Sequence, residues 1–183
     1  MTAAQCIYRK DASDLHIIAG SKYPANGTVY GVSALFPHPN YNRWIRDNDI
    51  GLMKTSEKIV ETNLVRPITL GYDYLVGHMN CVATGLGPNS DVLKWIEVET
   101  VTNAQCELAL HQDNHPFITI RKVCTKGRHL VGPAQRDSGG ALVVADQAVG
   151  IISWGDYFEC GKPDAYERIS SHKTWITNTM SSM

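Results

Sequence analysis

Short apolar runs separated by turn residues dominate the pattern along this 183-residue chain. Gly, Pro and Asn punctuate the intervals between the runs, as is typical of strands in a β-sandwich or β-barrel. The C-terminal stretch ISSHKTWITNTM instead shows helical spacing, with Ile169, Trp175, Ile176 and Met180 on one face. The pattern therefore predicts an all-β fold with a short C-terminal helix. The apolar runs are LHIIAG, TVYGVSALF, VRPITLG, MNCVATGLG, ALVVA and AVGIISW.

The charge distribution argues against two classes of partner. The chain carries 17 basic and 18 acidic residues, a formal net charge of −1, and neither sign forms a block. Nucleic-acid or membrane-surface binding would require a clustered basic stripe, so we expect no nucleic acid and no membrane as partner. No apolar run reaches the roughly 18 residues that a membrane-spanning helix needs.

The five cysteines lie far apart, and none forms the close pair that is typical of zinc sites. We therefore expect no metal, and no cofactor is expected either. Their odd number means that at least one cysteine is not bridged within the chain. The cysteines favour a secreted protein, as does the sequon at residues 26–28, Asn-Gly-Thr. The opening MTAAQCIYRK contains no signal segment, which predicts that an upstream part is missing.

Residues 135–142, QRDSGGAL, place Ser138 in a tight glycine-rich turn that leaves its small hydroxyl exposed. Such a serine is a nucleophile only when a base and an orienting acid accompany it. Two further strings precede it in order: TAAQC at residues 2–6 and DNDIGLMK at 47–54. Together the three resemble the TAAHC, DIALL and GDSGGP motifs of the chymotrypsin/trypsin family of serine endopeptidases.

Four more segments extend this resemblance over nearly the whole chain: FPHPNYN at 36–42, CVATGLG at 81–87, GIISWG at 150–155 and KPDAYERIS at 162–170. The family resemblance implies two antiparallel six-stranded barrels and a C-terminal helix, with the first barrel incomplete here. Residues 1–74 would be the remainder of the N-terminal barrel. Residues 75–183 would be the C-terminal barrel and the helix.

The resemblance also implies roles for individual residues. Asp49 would be the orienting carboxylate and Ser138 the nucleophile. The general base should stand directly before Cys6, where this sequence has Gln5. A glutamine amide has no usable pKa near neutrality, so it cannot take the proton of Ser138. Asp49 would then either accept from the Gln5 amide or remain a costly buried charge.

Two further departures lie beside the serine. Arg136 stands where the family has glycine, and its N–H and that of Ser138 would form the oxyanion hole. The arginine side chain either crowds the hole or points outward. Asp137 would pair with a new N-terminal ammonium in the activated family enzyme, and here we expect it to be left unpaired at high cost. The seven histidines fall outside the family's catalytic positions.

The expected substrate-binding residues are Gly132 at the pocket floor, Asp164 on the opposite wall, and the strand Ser153, Trp154 and Gly155 that would pair with a peptide backbone. Asp164 either lets the pocket accept basic or large side chains or blocks a pocket that is no longer used.

The resemblance predicts a disulfide between Cys106 and Cys124. Cys81 and Cys160 have lost their usual partners, so they are either small buried hydrophobes or have re-paired, and the family partner of Cys6 is absent.

Three functions are compatible with these residues. The first is a catalytically impaired homologue that binds polypeptides or protease partners through the old cleft. The second is an endopeptidase with weak or altered activity, and the third is a non-functional truncated product. In its complete form the protein would be secreted and monomeric, with a polypeptide substrate, a protease or an inhibitor as partner.

Overall fold

The computed structural model describes residues 1–87, 90–110, 117–126, 137–155 and 162–183. Its helices are α1 (Ala4–Ile7), α2 (Asn103–Leu110) and α3 (Lys173–Ser182), with short 3-10 turns elsewhere. Each apolar run named above contains a strand. The strands are β1 (His16–Ala19), β2 (Thr28–Pro37), β3 (Gly51–Thr55), β4 (Thr69–Leu70), β5 (Asn80–Gly85), β6 (Lys94–Val101), β7 (Lys122–Thr125), β8 (Ala141–Val144), β9 (Gln147–Trp154) and β10 (Asp164–Arg168).

Six of these strands close an antiparallel barrel. They follow the order β10-β7-β6-β5-β8-β9, and β9 pairs back onto β10 to complete the ring. Alternate side chains point inward, so Ala83, Val98, Leu142, Ile152 and Tyr166 fill the interior. The short strand β4 runs parallel to the first residues of β9. The predicted barrel is therefore confirmed in the C-terminal part of the chain.

A three-stranded antiparallel sheet forms most of the N-terminal part. The order is β1-β2-β3, and β2 changes register against β3 between Val32 and Ala34. This sheet is open, which agrees with the predicted incomplete first barrel.

Helix α3 packs where the open sheet meets the barrel. Ile176 of the helix joins Ala3, Ile50, Ile151 and Ile169 in one buried apolar cluster. The predicted helix is confirmed, but the place of Met180 on its buried face is not. Met180 is 58% exposed whereas Ile176 is fully buried, because the packed surface ends one turn before Met180.

The predicted disulfide joins Cys106 of α2 to Cys124 of β7, with Cα atoms 6.1 Å apart. Cys81 is a buried thiol inside the barrel, and Cys6 is a half-buried thiol on α1. Cys160 lies outside the described residues. Among the residues that the structure describes, no helix has the length and apolar character needed to cross a bilayer.

Candidate active site

Gln5 and Asp49 are directly hydrogen-bonded. The Gln5 backbone N–H donates to Asp49 Oδ1 and its side-chain Nε2 donates to Asp49 Oδ2, each at 2.8 Å. Helix α1 carries the glutamine, and Asp49 lies fully buried just before β3. Of the two alternatives for Asp49, the structure therefore shows the hydrogen-bonded one. Burial raises the pKa of Asp49, and the hydrogen bonds from Gln5 and Ser153 oppose that rise.

Ser153 links Asp49 to the barrel. Its Oγ donates to Asp49 Oδ2 at 2.7 Å, and its carbonyl accepts from Gln5 Nε2 at 2.5 Å and from Arg46 Nη1 at 3.3 Å. The β9–β10 register shifts at this point, so that Ile152 and Trp154 have partners on β10 with Ser153 between them. The bulge turns the Ser153 carbonyl towards side-chain donors instead of the ladder.

The turn that carries Ser138 packs against α1. The Ser138 carbonyl accepts from the Cys6 thiol at 3.4 Å, one residue after Gln5. Gly139 has a φ of +90°, and a Cβ there would overlap the Thr2 side chain, so two constraints require glycine. The Gly139 N–H donates to Ile152 O at 2.8 Å, which fixes the turn on β9. The structure thus brings Ser138, Gln5, Asp49 and Ser153 to one place.

Asp137 is buried beside the serine. Its Oδ1 accepts from the Gly87 backbone N–H at 2.9 Å. The loop after β5 therefore presents a backbone donor to this carboxylate, which partly satisfies its need for hydrogen bonds. Arg136 and Gly132 lie outside the described residues.

Trp154, Gly155 and Asp164 lie together at the ends of β9 and β10. The Trp154 side chain is buried against the disulfide-bonded cysteines. Any Cβ at Gly155 would overlap the Asp164 carboxylate, so the glycine makes room for this acid. Burial raises the pKa of Asp164 to about 7.

Buried charged side chains that the sequence motifs do not predict lie behind the site. Lys122 Nζ donates to Glu167 Oε2 at 2.5 Å and to Ser153 Oγ at 3.3 Å. His172 Nε2 lies 2.7 Å from Glu167 Oε1. The sequence offers no clear signal for these residues, because KVCT and DAYER carry charged residues of types that are rarely fully buried.

The described histidines occupy several places in the fold, and one of them, His172, contacts Glu167 behind the site. His16 is exposed on β1, and His78 is 3.0 Å from Glu99. His38 stacks edge-on against His172, with ring centroids 5.0 Å apart. Burial, with the nearby His172, lowers the pKa of His38 to about 4, so its imidazole is neutral at pH 7.

A sequence model of the family described as Trypsin matches residues 1–176. "Trypsin, alkaline C" of Manduca sexta is 31% identical over 97% of this chain and 74% of that protein. "Trypsin" of Phaedon cochleariae is also 31% identical, over 96% of this chain and 72% of its own. "Serine protease SP24D" of Anopheles gambiae is 28% identical over 98% of this chain and 68% of its own.

Proposed function

The chain belongs to the trypsin family of serine proteases, and we propose that it binds polypeptides in its cleft without cleaving them. The observation that carries this proposal is the Gln5 side chain, which donates a hydrogen bond to Asp49. A Ser-His-Asp site needs an imidazole that first accepts and then returns a proton. We infer that Gln5 occupies the place of that imidazole.

The loss of the base removes most of the expected rate enhancement. General acid–base catalysis contributes roughly 10²–10⁴-fold, and a site lacking one triad member retains only ~10³–10⁴-fold over water. Gln5 donates two hydrogen bonds from its amide nitrogen, and that nitrogen has no lone pair available to accept a proton. Ser138 therefore remains a neutral, weak nucleophile.

Backbone pairing along β9 supports retained polypeptide binding. A peptide that adds to the end of β9 as an extra strand would donate an N–H to the Ser153 carbonyl. That carbonyl has two lone pairs, and Gln5 and Arg46 already donate to it. An incoming peptide must displace one of them, and the Arg46 bond at 3.3 Å is the longer and weaker of the two.

An extracellular location is part of the same proposal. The disulfide between Cys106 and Cys124 belongs to oxidising compartments, and Asn26 of the sequon is exposed. Loss of mass on N-glycosidase treatment of material secreted from eukaryotic cells checks this part of the proposal.

Weak endopeptidase activity is the second candidate function. The observation that favours it is the retained turn around Ser138, with Gly139 and Gly140 bonded in place and Asp49 still beside the cleft. Under this alternative, Ser138 cleaves the bound peptide slowly, because the two are held close together although no general base assists.

Arg46→Ala tests polypeptide binding at the proposed place. Removing the guanidinium frees one lone pair of the Ser153 carbonyl, and one hydrogen bond is worth about 1 kcal/mol, so an unfolded polypeptide should bind about fivefold more tightly. Fluorescence anisotropy with a dye-labelled, reduced and alkylated protein measures the affinity. Arg66→Ala, at an exposed arginine, is the matched control and should leave the affinity unchanged.

The same samples report turnover. After prolonged incubation, mass spectrometry of the polypeptide should show no new termini. New termini that disappear with Ser138→Ala would favour the second candidate. Absence of saturable binding by the unmodified chain and by Arg46→Ala would contradict the proposed function.

A further inference from the structure

Lys122 and Glu167 form an ion pair in the interior, with both side chains fully buried. Lys122 lies on β7 and Glu167 on β10, neighbouring strands of the barrel that pair Glu167 opposite Lys122. Lys122 Nζ also donates to the Arg46 carbonyl, in the loop that precedes Asp49. Desolvation makes a buried ion pair no more stabilising than well-packed apolar side chains, so stability alone does not explain it.

The contacts of the pair form a continuous line from the candidate active site to the C-terminal helix. Asp49 accepts from Ser153 Oγ at 2.7 Å, and Lys122 donates to the same Oγ at 3.3 Å. Lys122 is 2.5 Å from Glu167, and Glu167 is 2.7 Å from His172, next to α3. The carboxylate of Glu167, the ammonium of Lys122 and the carboxylate of Asp49 therefore alternate in charge along this line, with Ser153 as the neutral link to Asp49.

Asp49 needs a positive charge nearby because it is fully buried. In a site with a histidine, the imidazolium that forms during the reaction supplies that charge. Gln5 donates hydrogen bonds to Asp49 but carries no charge. Lys122 is the buried cation that reaches the carboxylate through a single hydroxyl.

We propose that Lys122 is a positioning residue that acts on Asp49 through Ser153 and keeps this carboxylate ionised and directed at Gln5. Glu167 holds the lysine in place and offsets part of its charge. The inference rests on the proposed function in one respect, the placement of Gln5 where a base would stand. It assigns to Lys122 and Glu167 a role in the site that the sequence did not predict for either residue.

Charged and titratable groups face Asp49 from several elements. Arg46 precedes it in the same loop, and Lys122 and Glu167 lie on the barrel side. Tyr41 and Cys6 also interact electrostatically with it. Burial raises the pKa of Asp49 most strongly, the charge of Lys122 lowers it, and that of Glu167 raises it.

Two substitutions at the ion pair test the inference because they change the charge in opposite directions. Lys122→Met removes the cation at similar volume and should raise the pKa of Asp49 by about one to two units. Glu167→Gln removes the anion and leaves Lys122 unopposed, so the pKa should fall, by about half a unit or more. Carbon-13 NMR of the Asp49 side-chain carboxyl, assigned with Asp49→Asn, follows its titration.

Lys126→Met is the matched control, because Lys126 is exposed just beyond the end of β7. It should leave the titration of Asp49 unchanged.

If Lys122→Met does not fold, Glu167→Gln decides alone, since it retains the lysine and a hydrogen-bonding side chain. An unchanged pKa, or shifts in the same direction in both variants, would reduce the pair to a structural role and overturn the inference. The titration involves no ligand and no turnover, so it stands apart from any failure of the polypeptide-binding proposal.

Discussion

Gln5 satisfies the hydrogen-bonding needs of Asp49 without supplying acid–base chemistry. Its amide and backbone N–H groups occupy both carboxylate oxygens, with Ser153 Oγ as a further donor. Three donors favour the anion, but burial outweighs them and the pKa of Asp49 is raised. The site is therefore ordered around Asp49, whereas the proposed function holds that Gln5 gives Ser138 no proton acceptor.

Burial accounts for the shift in the pKa of Asp164, whereas at Asp49 hydrogen bonds oppose the effect of burial. The pKa rises from its ordinary 3.8 to about 7. A carboxyl whose folded pKa is raised holds its proton longer in the folded state. The loss of folding stability caused by ionising Asp164 is absent below pH 4, grows as the pH rises towards 7 and is complete above 7.

Asp164→Asn should therefore stabilise the protein more at pH 8 than at pH 5. The asparagine keeps the shape of the side chain and cannot ionise, so the gain should be larger at pH 8 by on the order of 2 kcal/mol. Urea denaturation at the two pH values measures it. Asp146→Asn, in the exposed turn between β8 and β9, should show no such difference. Equal gains at both pH values would show that Asp164 is not desolvated.

The sequence predicts the motif residues of the site but not the buried ion pair behind them. Gln5, Asp49 and Ser138 stand in recognisable strings, and the structure brings these strings together. Lys122 and Glu167 are separated by 45 positions and belong to residue types that are rarely fully buried. Only the closed barrel brings these two side chains together, so neither composition nor local pattern indicates the pair.

At the scale of elements, the sequence pattern predicts the strands that contain apolar runs but not the strands that carry several charged residues. β2, β5 and β9 are apolar on their buried faces, and their pattern is clear. β6 reads KWIEVETV, in which Val98 is buried while Trp95 is 65% exposed. Its exposed aromatic residue and its acidic residues obscure the alternation. β7 begins with the buried Lys122, and three of the five residues of β10 are charged and buried, so neither strand appears as an apolar run in the sequence.

The stabilising contacts of helix α3 are concentrated in the turn that contains Ile176. Ile176→Ala should lower the free energy of unfolding by about 2–4 kcal/mol, because it opens a cavity in the cluster where the open sheet, the barrel and the helix meet. Met180→Ala lies on the same helix at a mostly exposed position and should cost no more than about 0.5 kcal/mol. Chemical denaturation compares the two variants. Similar losses in both would mean that α3 does not dock through Ile176.

At the scale of the whole molecule, the candidate site lies where the two parts of the chain meet. Gln5 and Asp49 come from the N-terminal part, and Ser138 and Ser153 come from the barrel. Arg121 pairs with Asp47 across the same junction, and Nε of Arg121 donates to Asp47 Oδ1 at 3.0 Å. Burial alone would raise the pKa of Asp47, but the hydrogen bond and charge of Arg121 outweigh it and the pKa is lowered.

The junction explains why an open three-stranded sheet still presents Asp49 to the barrel. The Arg121–Asp47 ion pair and the apolar cluster that contains Ile50 and Ile151 hold the two parts together. The family motifs predicted this arrangement in outline. The Arg121–Asp47 pair is a tertiary contact between residues 74 positions apart, which no local pattern contains.

The central claim is that Gln5 supplies no base to Ser138. Labelling with a fluorophosphonate probe tests it most directly, using the unmodified chain, Gln5→His and, as the control for serine-specific reaction, Ser138→Ala. We expect no labelling of the unmodified chain above the Ser138→Ala background, and labelling of Gln5→His, because the imidazole would stand between Asp49 and Ser138. Labelling of the unmodified chain that is lost in Ser138→Ala would contradict the account, since it would show that another group activates the serine.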